Sequence, residues 1–594
     1  MAALRRATKR SPQKSALTSV YLAMVAAGRV APQPQLRALL VKKSSKSQSG
    51  VLVRSLHASC VALLSLAVAL LTLPRCQVIT VLTSPFPEVD GVAQPFSCAW
   101  NCHYCPAEPG QPRSYLHDEP AVRRANQNAF DPVLQFTDRA ATLLANGHPV
   151  DKIELLVLGG TWASYPHAYQ EAFCRDLFYA ANTFAQRGAA RRQRLSLAEE
   201  QAANEAAECK IIGLTLETRP DTINADELRR LRRYGCTRVQ LGVQHTDDAV
   251  LRKVNRGCST AATRRALRLL KDTCYKVDVH LMPNLPGATL EADEAMFTAM
   301  LDDPGLQADQ WKIYPCEVLP WTKVKEWFDA GEFVPYADET LFELILRVKA
   351  RMHPWIRLNR VIRDIPSQYI LGGVDAPNMR QTLAEHLAAR GLACPCIRCR
   401  EVGADSDRKA GAARLRRRDY AASDGQEIFL SFETPDAATI FGFARLRLTS
   451  DPGSGVFPAL RGAALIRELH VYGQLVPTAP AAGGGAAAQH TGFGRALMAA
   501  AEDIAAAAGA TSVAVIAGIG ARNYYRKLGY EVEDDGGFMV KAIPKHRRVL
   551  ARVRLAVPRA AALLPFVPLL AALLLLLLHL MFPPAESDGG VAEL

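Results

Sequence analysis

Residues 96–106 read Phe-Ser-Cys-Ala-Trp-Asn-Cys-His-Tyr-Cys-Pro, which sets Cys98, Cys102 and Cys105 at Cys-x3-Cys-x2-Cys. One short loop with this spacing can place three thiolates around a single iron–sulfur cube. A four-iron cluster ordinarily takes four cysteines. Three leave one iron open, and an open iron can chelate a small molecule. Two plainer readings stand beside this one: a structural zinc loop, for which no fourth ligand lies nearby, and unrelated core cysteines. A disulfide framework does not fit. Fourteen cysteines are spread over 594 residues with two tight clusters, which is metal usage in a reducing compartment.

From Gln77 a strand-then-helix rhythm begins. Val78–Thr83 reads as a buried strand leading into the cysteine loop. Ile153–Leu158 ends at Gly159-Gly160, Ile211–Leu216 at Glu217-Thr218-Arg219-Pro220, and Arg238–Val243 at Gln244. Val277–Met282 and Trp311–Tyr314 each run into a proline. Helical patterns such as Asp226–Tyr234 and Ala261–Lys271 lie between them. Near-continuous apolar strands alternating with helices predict an α/β fold with a parallel sheet covered on both faces. Five or six such units predict a full or partial β/α barrel, with the active site at the C-terminal strand ends. Glu217, Arg219, Gln244 and His280 stand at those ends. Each is either a ligand contact or a rim residue with a satisfied hydrogen bond.

Three or four units are expected for this length. Residues 1–76 form a basic, acid-free extension, either a transit segment or a poorly ordered arm. The first 87 residues hold twelve Lys and Arg and no Asp or Glu, so nearly all of the net charge of +13 sits there. The body is therefore not an obvious polybasic nucleic-acid binder. The barrel core is expected over 77–340 and a connector over 341–425. That connector carries Cys394, Cys396 and Cys399, which are either zinc ligands or ordinary reduced thiols. A mixed α+β domain is expected over 426–544. In it, Gln489-His490-Thr491-Gly492-Phe493-Gly494 precedes a helix from Arg495. Glycines let the backbone approach a ligand closely, and a helix N-terminus favours anions, so this loop suits a pyrophosphate. A basic flank over 545–559 leads into Ala560–Phe582, a 23-residue apolar run broken only by His579 among polar residues. That is long enough to span a bilayer. With a tail over 583–594, it reads as a tail anchor that keeps the catalytic body in the cytosol.

The cysteine spacing, Tyr104 before the third cysteine and the Gly159-Gly160 turn resemble the radical S-adenosylmethionine (SAM) enzymes. The resemblance implies that SAM fills the open iron and that backbone carbonyls of the glycine pair meet its amino group. Thr161 stands where such enzymes usually carry an acid. The Gln489–Gly494 loop, the strand Glu468-Leu469-His470-Val471 and Tyr525 resemble the Gcn5-related N-acetyltransferase (GNAT) fold. There the loop holds coenzyme A, the strand pairs with the pantetheine arm, and the tyrosine can protonate the leaving thiolate. The two together, with Thr215–Pro220, Leu241–Gln244, Lys312–Pro315, Arg467–Gly473 and Arg522–Lys527, resemble the catalytic subunit family of Elongator, the tRNA carboxymethyluridine synthases, from about Gln77 to Lys541.

That resemblance implies a [4Fe-4S] cluster on Cys98, Cys102 and Cys105 that cleaves SAM to a 5′-deoxyadenosyl radical. The radical takes hydrogen from the methyl group of acetyl-CoA. The carbon radical adds to C5 of the wobble uridine of tRNA, and thioester hydrolysis leaves 5-carboxymethyluridine. Lys152, Glu468 to Val471, Phe493 to Arg495, Tyr525 and the Gln489 loop match the acetyl-CoA contacts. Partners are expected to be tRNA and either Elongator-type subunits or a second copy of the chain. Arg123, Arg124, Arg139 and Arg414 to Arg418 are candidates for tRNA phosphates, a solvated charged face being the plainer reading. Two departures are a gap of only three residues between the first cysteines and the apolar terminus. The receiving membrane would be the mitochondrial outer membrane or the endoplasmic reticulum. The rival activities are protein lysine acetylation over an inert barrel and a tRNA-binding role without chemistry.

Overall fold

The computed structural model describes residues 77–96, 98–186, 191–403, 410–472 and 492–549. The chain divides into two units, Met1–Leu70 and Leu71–Leu594, and the described residues all belong to the second. The N-terminal extension, Gln489 and the apolar run Ala560–Phe582 lie outside the described residues. Among the described residues no helix is long and apolar enough to cross a membrane.

The first sheet is built from β1 (Gln77–Leu82), β4 (Lys152–Leu158), β5 (Lys210–Thr218), β6 (Arg238–Gln244), β7 (Lys276–Leu281), β8 (Gln310–Ile313) and β9 (Arg357–Arg360). A two-residue hairpin, β2 (Glu88–Val89) with β3 (Val92–Ala93), follows β1. The seven strands are all parallel in the order β1-β4-β5-β6-β7-β8-β9. β1 and β9 are edges, so the barrel is partial. Helices return the chain between strands, their first N–H groups satisfied by side chains. Asp131, Asn224, Ser259 and Thr289 each accept a backbone N–H as N-caps.

Side chains alternate across a strand. One face of this sheet is apolar under the helices: Ile153, Leu155, Val157, Val239, Leu241, Val277 and Val279 are buried there. The concave face is polar at period two, with Glu154, Thr215, Glu217, Arg238, Gln240, Asp278, His280, Gln310 and Lys312. The six expected strands are present within two residues at each end. β9, with sequence Arg-Leu-Asn-Arg, adds a seventh from within the region taken as connector.

The second sheet runs in the order β10 (Arg414–Ala422), β11 (Gly425–Glu433), β12 (Ile440–Leu448), β13 (Ala463–Val471), β14 (Ser512–Val515), β16 (Met539–Ala542), β15 (Glu531–Val532). β10 to β13 are antiparallel, and β13 meets β14 in parallel. β10 begins upstream of residue 426, where sequence texture placed the domain start. It is also the expected basic run. Within it Arg418 forks onto buried Glu433 at 2.7 and 2.8 Å, and Arg416 lies 3.7 Å from the same carboxylate. Those two cations therefore serve the sheet rather than a free phosphate-binding face. The helix Phe493–Ala508 packs Leu497, Met498, Ala501 and Ala505 onto Ile428, Leu430, Ala444 and Ile466.

A buried charge cluster ties the two sheets together. Arg467 of β13 donates to both oxygens of Asp309, at 2.6 and 2.7 Å, and to Glu427 at 2.9 Å. Arg447 of β12 reaches Asp272 at 2.6 Å.

Candidate active site

The cysteine loop sits at the C-terminal rim of the first sheet. His103 donates its N–H to the Val254 carbonyl, and its own carbonyl accepts from Val324, so loops after β6 and β8 clamp it. Cys102 is buried, and Cys98 and Cys105 are half-buried. Arg219 and Arg256 each point a guanidinium nitrogen at Cys102 Sγ from 3.7 Å. Two cations against one sulfur fit a thiolate or an anionic cluster, since a neutral thiol needs neither. Burial pushes the Cys105 thiol up, and Arg113 pulls it back. The sulfurs of Cys394, Cys396 and Cys399, by contrast, all lie within 4.8 Å of one another. That tight set suits one small ion, whereas a cube holds each ligand on a different iron. The residues present fit a cluster at the rim and a single ion at the second set.

Gly159 and Gly160 close β4 at φ +129° and +106°. A Cβ on Gly159 would collide with Thr83 Oγ1. The Gly159 carbonyl accepts from the Tyr165 hydroxyl at 2.8 Å, so it is already engaged. Of the rim residues expected from sequence, Arg219 is bound to Cys102, the Arg256 carbonyl and Asp221. Glu217 accepts from the Tyr115 hydroxyl at 3.0 Å and lies 3.5 Å from His280 Nδ1. Burial raises the Glu217 carboxyl. Burial, then Lys312 and Arg363, hold the His280 imidazole well below its usual range, so it is neutral at pH 7. His280 Nε2, Gln244 Oε1 and Asp278 Oδ1 are buried and bonded to nothing. Orphaned buried polar atoms are costly, and three on the neighbouring strands β6 and β7 suit a polar ligand.

From the rim a hydrogen-bonded path runs down the concave face. Lys312 donates to Gln240 at 2.7 Å, and Gln240 to Asp278 at 3.3 Å. Asn359 joins Asp278 at 2.9 Å to Gln310 at 2.7 Å. Gln310 reaches Glu468 of β13 at 3.5 Å.

At the floor of the barrel lies a cavity of about 1220 Å³. β13 pairs with β14 only over Ala463 to Ile466, while β13 runs on to Val471. The two strands therefore part, and the crevice opens between them. Glu468, Leu469 and Val471 line it from β13, and Gly492, Gly494 and Arg495 from the start of the long helix. Gly492 is that helix's N-cap at φ +78°. Adding a Cβ to Gly494 would bring it to 2.7 Å from the Tyr524 hydroxyl. Lys152 and Tyr525 also line the cavity. Burial pushes the Tyr525 phenol well above its usual range, so it is a proton donor at neutral pH. Two expected contacts face elsewhere. Phe493 stacks on Phe432 at 4.5 Å in an apolar cluster, and His470 packs between Phe443 and Tyr472. Burial holds the His470 imidazole down at about 4. The Glu468 carboxylate is bound by Arg445 at 2.9 Å, so only its strand can serve a ligand freely. Sequence reasoning missed Lys210 and Lys276, which join Lys152 on the cavity wall. Their signal was present: β4, β5 and β7 each begin with a lysine.

Residues 96–299 match the Radical SAM superfamily, and residues 308–389 the Radical_SAM C-terminal domain. The chain is 39% identical to the tRNA uridine(34) acetyltransferase of Dehalococcoides mccartyi (strain CBDB1), over 76% of this chain and 96% of the relative. It is 37% identical to Elongator complex protein 3 of Homo sapiens, over 74% of this chain and 80% of that protein. The solved structure of Methanocaldococcus infernus Elp3, lacking residues 1–46, superposes with a TM-score of 0.66 at 35% identity. That superposition covers 80% of this chain and all of the other.

Proposed function

The chain belongs to the family of the tRNA uridine(34) acetyltransferases and Elongator complex protein 3, and on that premise we propose that it makes 5-carboxymethyluridine at the wobble position of tRNA. It is an acyltransferase with a radical SAM barrel. The observation that carries the reading is the polar path that runs through one barrel between the rim and the floor cavity. An acyl carrier at the floor and a nucleobase at the rim need such a passage to react. Protein acetylation would need only the crevice.

In this reading Cys98, Cys102 and Cys105 hold a [4Fe-4S] cluster, with Arg219 and Arg256 offsetting its charge. With SAM bound, the cluster supplies a one-electron route to hydrogen abstraction from an unactivated methyl group. The neutral His280 and the Glu217–Tyr115 pair bind and orient the uracil edge. The second domain acts as a GNAT-type module. The N–H groups after Gly492 and the lysines at the floor take the pyrophosphate of acetyl-CoA. Tyr525 Oη gives its proton to the departing thiolate. Cys394, Cys396 and Cys399 hold a structural zinc ion. The apolar run Ala560–Phe582 serves in this reading as a tail anchor, on its composition. Elongator-type partners enter on the family's account.

The test is anaerobic turnover of the reconstituted chain with SAM, acetyl-CoA, a reductant and bulk tRNA. Both 5′-deoxyadenosine and modified uridine are expected, and both should be lost in Cys102→Ala. Acetyl transfer to a protein that survives Cys102→Ala, with no uridine product, would overturn the reading.

A further inference from the structure

The loop leaving β8 turns at Trp321, whose backbone lies at φ +56°. A bulky side chain is strained there, and glycine would be the relaxed choice. The turn is nevertheless held from both sides. The Trp321 carbonyl accepts the Ala107 N–H at 3.2 Å, two residues past Cys105. Thr322 donates its hydroxyl to the Leu319 carbonyl at 2.7 Å and caps the helix Lys323–Asp329. The strain is not spent on burying the indole, which is 45% exposed. Packing therefore does not account for a tryptophan at this position. Beside it stands Tyr369, at 6.2 Å between ring centroids, with its hydroxyl anchored on Asp118. Leu371, 44% exposed, follows in the same loop and donates its backbone N–H to the Val318 carbonyl at 2.9 Å, while Val318 donates its own to Gly372. The result is a rigid, outward-facing aromatic step on the rim beside the cysteine loop. Arg360, half exposed, lies on the same rim and acts electrostatically on Tyr314 and His280.

The chemistry of the rim says what would use such a step. Glu217 and His280 stand on the concave face with side chains only 20% and 7% exposed, so a base that reaches them must leave its stack. Its neighbour then loses a stacking partner. An exposed indole can replace that partner for any base, because every base has a π-face. Unstacked loop bases of RNA are commonly received on aromatic rings in this way. We propose that Trp321, backed by Tyr369, is the stacking platform for a nucleobase next to the target in the single-stranded loop of the substrate RNA. This rests on the tRNA reading above and assigns a positioning residue to it.

The test uses the full chain, a synthetic anticodon stem–loop RNA, and three variants. Trp321→Phe keeps a ring, Trp321→Ala removes it, and Trp321→Gly removes it while relaxing the backbone. Stem–loop binding is expected to weaken about tenfold or more in the Ala and Gly variants and to stay within about threefold of wild type in Phe, in line with the energy of base–aromatic stacking. RNA should also quench tryptophan fluorescence more in wild type than in Trp321→Phe. Melting temperature and acetyl-CoA affinity report whether each variant is folded, and Gly should melt no lower than Ala. If Trp321→Ala and Trp321→Gly bind RNA as wild type does while wild type modifies tRNA, the platform is wrong and the proposed function stands. If wild type neither binds nor modifies tRNA, both fall.

Discussion

Arg467→Met removes the central cation of the buried cluster between the two sheets. Arg467 is fully buried and makes four charge-assisted bonds to Asp309 and Glu427, plus one to the Tyr275 carbonyl. Removing one partner of a buried ion pair costs about 3–5 kcal/mol, because the other charge is stranded. Some compensation remains. Asp309 keeps the Val277 N–H at 2.9 Å, and Glu427 keeps Arg447 at 3.2 Å. The expected loss is therefore at the lower end, about 3 kcal/mol, or more than a hundredfold in the folding equilibrium at 1.4 kcal/mol per factor of ten. Guanidinium denaturation followed by tryptophan fluorescence measures it. Asp309→Leu/Arg467→Met, which strands less charge, should recover part of the loss. Burial alone would raise the Asp309 carboxyl, but Arg467 holds it well below the usual carboxylate range. A depressed carboxylate contributes stability above its unfolded pKa and loses it as pH falls toward the folded one. Without Arg467 the folded pKa moves up, so acid unfolding of the single variant should begin at higher pH than in wild type. A single-variant loss under about 1 kcal/mol, or a double variant weaker than the single, would refute the reasoning. Apolar packing alone would then hold the sheets together.

Gly159→Ala meets both a positive φ and a collision with Thr83, so it should cost roughly 2 kcal/mol or more. Loss of SAM binding and a lowered melting temperature check it. Tyr525→Phe removes a buried proton donor without changing the cavity's shape, so kcat for uridine product should fall about a hundredfold with KM for acetyl-CoA little changed. Burial raises the Glu317 carboxyl from 4.5 to about 8. A raised pKa gives stability that is present below the unfolded value and lost as pH rises through the folded one. Glu317→Gln should flatten that decline between about pH 4.5 and 8 in pH-dependent melting curves, leaving the variant more stable than wild type above pH 8.

What was legible in the sequence was the half of each strand that packs under helices. Ile, Val and Leu at alternate positions of β4 to β7 announce a buried face whatever the other face does. The strand ends were legible too, because Gly159-Gly160, Glu217 and Gln244 interrupt apolar runs. β9 was not, since Arg-Leu-Asn-Arg has one apolar residue, and Asn359 spends its amide on Asp278 and Gln310 of the barrel interior. The same physics hid the polar path. Gln240, Asp278 and Gln310 read as lapses in a hydrophobic strand until the register puts them side by side. Arg416 and Arg418 of the basic run were opaque for the opposite reason. Sequence shows charge but not its partner, and Glu433 arrives only through the pairing of β10 with β11. The side chains of Phe493 and His470 turn into aromatic packing, which motif spacing does not encode.

The polar filling of the barrel gives the two-site arrangement its physical sense. A parallel strand rises about 3.3 Å per residue, so the seven residues of β4 separate floor from rim by about 20 Å. Leu and Val along that interior would close it, because opening a packed apolar core forfeits both burial and contacts. Gln240, Asp278, Asn359 and Gln310 instead hold one another by hydrogen bonds. A ligand that offers the same bonds can replace those at small net cost, since exchange of one hydrogen bond for another is nearly neutral. The orphaned atoms then fall where exchange should begin. Asp278 Oδ1, His280 Nε2 and Gln244 Oε1 belong to β6 and β7, with His280 and Gln244 at the strand ends nearest the cysteine loop. The interior is thus already short of partners on the rim side, the side at which the proposed function puts the base.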